Sequence, residues 1–216
     1  MTAFIGIMSE LIQTHVLTIT WGGLINQLTL VFATYIFALG IGAAFTPQKS
    51  DPLIKFFYLQ LGLSLLGLIS PTLLLYLNYH LSSSVSIVLS YFLVAVIGFV
   101  SGFELPLLYQ LKINQDKGSD QAFEKLMAFD YLGMALGGFL FSNFFLQFLG
   151  FWNSVFINSI LNAAIGILSL IYFNKEITTK NNLAKYSIGL FILGFGILSL
   201  FFEGRITELT RGWIVQ

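Results

Sequence analysis

The chain has 216 residues, of which 56% are apolar and only 9% are charged, and its formal net charge is zero. A soluble domain usually carries roughly 25% charged residues, so this composition excludes an ordinary soluble protein and is typical of a chain surrounded by lipid. The balanced charge provides no basic face for nucleic acid, and the absence of cysteine excludes disulfides, thiolate metal sites and cysteine nucleophiles.

Hydrophobic stretches long enough to cross a bilayer as helices, about 20 residues each, follow one another along the sequence. We predict an all-α, polytopic membrane bundle of about seven transmembrane helices, forming a single domain over residues 1–216 in the cell membrane. No basic N-terminal region or cleavage site indicates a signal peptide. In chain order the predicted spans are Ala3–Thr20, Leu28–Phe45, Leu53–Leu77, Val85–Tyr109, Leu126–Leu149, Trp152–Phe173 and Ala184–Phe202.

The first predicted span is the most polar. Its residues Glu10, Gln13, Thr14 and Thr18 recur at intervals of three and four, so they share one face of a helix. Because polar groups are costly against lipid, we expect this face to point into the bundle.

Lysines mark alternate connections between the spans and predict the orientation of the chain. Connections 1–2, 3–4 and 5–6 carry no Lys or Arg. The positive-inside rule therefore places the other connections in the cytoplasm, with the N-terminus inside and the C-terminus outside. Arg205 and Arg211 in the C-terminal tail conflict with this placement. The marking residues are Lys49 and Lys55, then Lys112, Lys117 and Lys125, then Lys175, Lys180 and Lys185.

A faint internal repeat relates the first three spans to the next three. The segment Tyr35–Gly42 resembles Tyr131–Gly138, and an acidic residue precedes each tyrosine by 25 and 27 positions, Glu10 and Glu104 respectively. This favours a three-plus-three inverted repeat followed by a seventh helix. The alternative is chance, since Gly, Ala and aromatic residues recur in any membrane protein.

Three acidic residues, Glu10, Glu104 and Asp130, lie within or at the edge of predicted spans. A carboxylate at the bilayer centre costs about 3 kcal/mol on translocon scales, so we take them as candidate substrate-binding residues, for a polar substrate or a proton relay. The alternative is a structural role, each acid being paired with a neighbouring group; Lys112 and Lys125 are the candidate partners for Glu104 and Asp130.

Other polar, small or helix-breaking residues within the spans have packing explanations. Pro106 removes a helical hydrogen bond just after Glu104, and it either shapes a pocket or ends the helix. The spacings Ala38–Gly42 and Gly133–Gly137 predict close helix contacts. We expect the amides of the fifth and sixth spans to form interhelical hydrogen bonds, Asn143, Gln147, Asn153, Asn158 and Asn162 among them.

The sequence shows no motif for a self-contained active site. No Gly-rich loop follows a strand, no catalytic Ser/His/Asp set stands out, and the two histidines, His15 and His80, lie far apart. We therefore expect no catalytic residue, bound metal or cofactor.

Three segments of the sequence resemble segments of the membrane-spanning spermidine synthase-like proteins, and their order and spacing also agree. They are Asn26–Gly42, preceded by Glu10-Leu-Ile; Gly102-Phe-Glu-Leu-Pro-Leu-Leu108; and Phe129–Phe141 with its Asp-Tyr-Leu-Gly motif. The resemblance runs from about Gly6 to about Glu203. It implies a seven-helix membrane domain that family members join to a soluble, Rossmann-like aminopropyltransferase domain using decarboxylated S-adenosylmethionine and putrescine. Gln60 stands where family members often carry Glu.

The resemblance implies that residues 1–216 correspond to the membrane half, with the soluble aminopropyltransferase domain absent. We expect membrane anchoring or another polyamine-related role without catalysis on its own, with the lipid bilayer and a separate aminopropyltransferase domain or subunit as partners. An outward C-terminus conflicts with a cytoplasmic enzyme domain. The alternatives are a small transporter or half-transporter for a cationic or other small solute, and a structural membrane subunit. An aminopropyltransferase reading frame immediately downstream would favour the first interpretation.

Overall fold

The computed structural model describes residues 1–23, 25–47, 51–116, 121–173, 189–190, 193–194, 197, 200 and 203–214. Within these ranges every regular element is helical and no strand occurs, in agreement with the predicted all-α class. The helices are α1 Thr2–Trp21, α2 Ile25–Ala44, α3 Pro52–His80, α4 Ser83–Gly102, α5 Glu104–Asp116, α6 Gln121–Leu140, α7 Phe151–Phe173 and α8 Glu203–Ile214, with a π-helical segment at Phe141–Leu149 between α6 and α7.

The described part of the chain contains six helical stretches that are long and apolar enough to cross a membrane. They correspond to the first six of the seven predicted spans. Ala184–Phe202, the predicted seventh span, falls mostly outside the described residues, since only 189–190, 193–194, 197 and 200 of it are described. The six stretches are Thr2–Trp21, Ile25–Ala44, Pro52–His80, Ser83–Ile113, Phe123–Leu149 and Phe151–Phe173.

The fourth predicted span, expected as one helix, is broken in two. Helix α4 ends at Gly102, where the amide of Phe103 bonds to the carbonyl of Val100, and α5 begins at Glu104. Pro106 has no amide hydrogen to donate to the carbonyl one turn back, that of Gly102, so the helical ladder is interrupted at this point. The chain then resumes as helix to Asp116, so the proline interrupts the span without ending it.

The fifth predicted span also departs from a plain α-helix. It begins as α6 and continues from Phe141 to Leu149 as a π-helix, which stops at Gly150 with a φ of 82°. Positive φ in this range is adopted readily by glycine. The residue therefore allows the sharp turn into α7.

Glycines allow two pairs of helices to approach closely. A Cβ atom on Gly42 would meet the carbonyl of Phe99, and one on Gly102 would meet the carbonyl of Leu39, so α2 and α4 are in backbone contact. A Cβ on Gly137 would lie 2.7 Å from the carbonyl oxygen of Phe4, which brings α6 equally close to α1. Both predicted small-residue spacings therefore mark helix contacts.

Three pairings organise the bundle: α2 with α4, α3 with α7, and α1 with α6. Two clusters of buried apolar side chains fill the interior, one around Met8 and Leu74 and one around Phe57 and Ala163. The outer faces of α2 and α6 are apolar as well; Phe37 is 72% and Phe129 70% exposed. Exposed apolar surface of this extent marks contact with lipid or another protein.

Candidate functional site

Glu10 lies in the middle of α1 and is buried, with 3% of its surface exposed. Gln13 and Thr14 are buried beside it and Thr18 is half-buried, so the polar face points into the bundle as predicted. The Thr14 hydroxyl donates to the main-chain carbonyl of Glu10 at 2.9 Å, so this buried hydroxyl has a hydrogen-bond partner. The carboxylate atom Oε1 of Glu10 has no hydrogen-bond partner.

Glu104 occupies the first position of α5, directly after the break at Phe103. Its Oε1 accepts a hydrogen bond of 2.6 Å from Nε2 of Gln60, a residue of α3 that is fully buried. Its Oε2 lies 3.7 Å from the place where a Cβ on Gly6 would stand. The missing side chain at Gly6 therefore leaves room beside the second carboxylate oxygen.

The three predicted acids line one cavity of about 120 Å³. Glu10 comes from α1, Glu104 from α5 and Asp130 from α6, so residues as far as 120 positions apart in sequence meet at one place. We call this space the acid cavity. Its walls are formed by Thr2, Ala3, Gly6, Ile7, Glu10, Tyr35, Leu39, Ala43, Ser101, Gly102, Glu104, Leu105, Asp130 and Met134.

Three residues with hydroxyl groups in the wall of the cavity, Thr2, Tyr35 and Ser101, were not predicted from the sequence as site residues. Tyr35 is buried on α2, and its hydroxyl donates to the carbonyl of Gly6 at 3.4 Å. Ser101 is the last residue but one of α4 and is also buried. Tyr35 starts the repeated segment of the second span, so its place in the repeat was an available signal, whereas nothing distinguishes Ser101 from the other serines of α4.

None of the described residues in the wall of the acid cavity has a basic side chain. Lys112 and Lys125, the partners predicted for Glu104 and Asp130, are both exposed, and neither lines the cavity. Several carboxyl groups in a low-dielectric interior favour a cation strongly.

The histidines lie away from the acids and pack against aromatic rings. His15 is 5.3 Å from Phe151 and His80 is 4.3 Å from Tyr76, measured between ring centroids. Among the residues that the structure describes, no group of three His, Cys, Asp or Glu side chains is placed to hold a metal ion.

A larger cavity of about 510 Å³ opens between the N-terminus, α3, α5 and α7. Its wall includes Phe56, Leu108 and Tyr172 and contains no charged side chain. Its described polar side chains are the hydroxyl groups of Thr2, Ser169 and Tyr172, whereas the acid cavity also has carboxyl groups, so the acid cavity is the stronger candidate.

The sequence is similar to curated polyamine aminopropyltransferases over most of its length. It is 29% identical over 163 residues to the polyamine aminopropyltransferase of Leptospira interrogans serogroup Icterohaemorrhagiae serovar copenhageni, covering 75% of this chain and 32% of that protein. It is 29% identical over 174 residues to polyamine aminopropyltransferase 2 of Ralstonia nicotianae, covering 80% and 34%. It is 28% identical over 181 residues to polyamine aminopropyltransferase 1 of Streptomyces coelicolor, covering 81% and 33%.

The chain spans about a third of the length of these curated relatives. No family model matches the sequence, and no solved structure matches it. The similarity supports a relation to the spermidine synthase-like proteins that the three sequence motifs resemble.

Proposed function

We propose that this chain is a multi-pass membrane domain that acts in polyamine metabolism together with an aminopropyltransferase domain or subunit, and that its acid cavity binds an amine. Six helices have the length and apolar character of membrane spans. The aligned relatives are named polyamine aminopropyltransferases, and the aligned region is about a third of each. In this proposal the chain holds the amine in or at the cell membrane and performs no aminopropyl transfer by itself.

The observation that carries the proposal is the convergence of Glu10, Glu104 and Asp130 on one cavity. An aliphatic amine is protonated near neutral pH, and its ammonium group has hydrogen-bond donors but no acceptor. Among the described residues, the wall has three carboxyl groups, three hydroxyl groups and no basic side chain, so it offers the complementary acceptors. Apolar wall residues such as Leu39 and Met134 suit the methylene chain between the amino groups.

The helix packing supports an inverted repeat around this cavity. If the first three spans correspond to the next three, α1 corresponds to α4, α2 to α6 and α3 to α7. Exchange of the two halves then converts the α1–α6 pair into the α4–α2 pair and leaves the α3–α7 pair unchanged. These three pairs are the main contacts of the bundle. Inverted-repeat folds place their ligand sites at the interface of the repeats, next to broken helices. The acid cavity lies between α1 of one half and the α4–α5 break of the other.

The test is amine binding by the purified chain in detergent. Putrescine and spermidine are titrated by calorimetry into the unmodified chain and into Glu104→Gln, which retains the side-chain shape but removes the charge. We expect measurable binding that falls at least ~10-fold in the variant, equivalent to about 1.4 kcal/mol, while the melting curve changes little. Glu124→Gln is the matched control, because Glu124 is an exposed carboxylate on α6.

Two results would contradict the proposal. One is the absence of amine binding by the unmodified chain. The other is an equal affinity in Glu104→Gln and Glu124→Gln, which would leave Glu104 with a structural role only. In that case the change should cost about 1 kcal/mol or less of stability, the scale of interhelical hydrogen bonds in membranes.

A further inference from the structure

Two hydrogen-bonded pairs of polar side chains join three helices in the interior. Gln13 of α1 donates from Nε2 to the hydroxyl oxygen of Ser70 on α3 at 2.6 Å, and Asn158 of α7 donates from Nδ2 to the hydroxyl oxygen of Ser9 at 2.8 Å. All four are at most 4% exposed. Ser9 and Gln13 are one helical turn apart on the same face of α1. We call this group of Ser9, Gln13, Ser70 and Asn158 the polar seam.

The polar seam has acceptors that lack donors. Both amide side chains donate from their NH₂ groups to serine hydroxyls. Their carbonyl oxygens, Oε1 of Gln13 and Oδ1 of Asn158, have no hydrogen-bond partner within the described part of the chain. Both residues are at least 99% buried. A buried acceptor without a donor is unfavourable. These two oxygens, on helices joined by the bonds described above, are therefore open to an ion or a water molecule.

The backbone of α3 adds a further oxygen at the same level. Pro71 lies inside α3 and has no amide hydrogen for the carbonyl of Gly67, four positions earlier. Nδ2 of Asn158 lies 3.6 Å from the place where a Cβ on Gly67 would stand, so α7 is close to this turn of α3. The carbonyl of Gly67 therefore belongs to the surroundings of the polar seam and lacks its usual helical partner.

Glu10 contributes the charge. It lies three positions before Gln13 on the same face of α1, and its own Oε1 is buried without a partner. The resulting ligand set is two amide oxygens, two hydroxyl oxygens, one main-chain carbonyl and one carboxylate. Oxygen ligands of this kind suit hard cations, and divalent ions usually take more carboxylates or retain several waters.

We propose that the polar seam binds a monovalent hard cation of about the size of sodium, with Glu10 as its counter-charge. The ion would contact the free oxygens of Gln13 and Asn158 and would join α1, α3 and α7. The polar seam shares Glu10 with the acid cavity, whereas Glu104 and Asp130 line the acid cavity and do not belong to the polar seam. Experiments on Gln13 and Asn158 therefore test the ion site, and experiments on Glu104 test the amine site.

The test compares thermal unfolding of the purified chain in NaCl, KCl and choline chloride at equal ionic strength. A ligand that binds only the folded state raises its unfolding temperature, and we expect saturating NaCl to raise it by about 5 °C over choline chloride. KCl should give a smaller rise, because a larger ion fits a sodium-sized site less well.

Variants decide whether the response arises in the polar seam. The measured quantity is the difference between NaCl and choline chloride within each variant, so a general loss of stability does not obscure the result. Gln13→Leu and Asn158→Leu should abolish this difference. Asn143→Leu should retain it, since Asn143 is exposed and its side chain donates to the carbonyl of Phe139, one turn earlier in the chain.

Equal unfolding temperatures in NaCl and choline chloride would overturn the proposal and would leave ordered water as the ligand of the free oxygens. A sodium response that survives in both Gln13→Leu and Asn158→Leu would overturn it as well. Amine binding that depends on Glu104 would still support the proposed function in either case.

Discussion

We expect the hydrogen bond between Gln60 and Glu104 to stabilise the contact between α3 and α5. Gln60→Leu removes the donor that lies 2.6 Å from Oε1 of Glu104 and leaves a buried carboxyl group without this partner. A hydrogen bond to a charged group contributes roughly 1.5–3 kcal/mol, whereas measured interhelical bonds in membranes reach only about 1.7 kcal/mol. We therefore expect a loss of about 2 kcal/mol from Gln60→Leu.

A double-mutant cycle isolates this interaction. Glu104→Leu removes the other partner, and we expect a similar loss because the Gln60 amide is then unpaired. In the double variant both polar groups are gone, so its loss should be smaller than the sum of the two single losses by about 1–2 kcal/mol. Stability is measured as the free energy of unfolding by denaturant titration in detergent.

Additivity would refute the reasoning. If the losses of Gln60→Leu and Glu104→Leu add within about 0.5 kcal/mol, as they do for independent sites, the two side chains do not interact in the folded protein. A second cycle that combines Gln60→Leu with Asn143→Leu provides the control, because Asn143 lies on the exposed π-helical segment and should behave additively.

Two further predictions concern packing and topology. Gly42→Ala should destabilise the bundle by about 1–3 kcal/mol, because its Cβ would clash with the carbonyl of Phe99. Gly40→Ala, two residues away with open space around it, should stabilise the helix by about 0.5–1 kcal/mol. Equal effects of the two substitutions in unfolding titrations would exclude the close α2–α4 contact. A single Cys placed at position 117 on this Cys-free chain should be protected from an impermeant thiol reagent in intact cells, and a Cys at position 82 should be labelled; the reverse pattern would invert the predicted topology.

The lengths and order of the helices are properties that the sequence determines almost alone. Within lipid each backbone amide and carbonyl must be satisfied inside its own segment, so an apolar stretch of sufficient length predicts a helix with little dependence on its neighbours. Predicted spans such as Ala3–Thr20 and Trp152–Phe173 accordingly lie inside α1 and α7. Pro106 also signals a break, although the sequence left open whether the helix resumes after it.

The direction of the polar side chains was only partly predictable. The spacing of Glu10, Gln13 and Thr14 defines a polar face, and the cost of placing that face against lipid predicts its burial. Sequence also selected the three acids that line the cavity, because carboxylates are rare in spans. Tyr35, Gln60 and Asn158 gave weaker signals, since uncharged polar residues occur widely in membrane helices for packing alone.

Which of these side chains meet is decided by the tertiary structure. Gln60 and Glu104 are 44 positions apart, and Ser9 and Asn158 are 149 apart, so no local pattern relates them. Their contacts follow from the relative positions of α1, α3, α5 and α7 in the bundle. Small residues such as Gly67 and Gly166 allow α3 and α7 to pack closely, since a Cβ on Gly166 would lie 3.2 Å from the Cβ of Gln60. A helix shifted along its axis by one residue keeps the same sequence pattern but moves every side chain by about 1.5 Å and turns it by about a quarter of a turn, and only the packed structure selects one register.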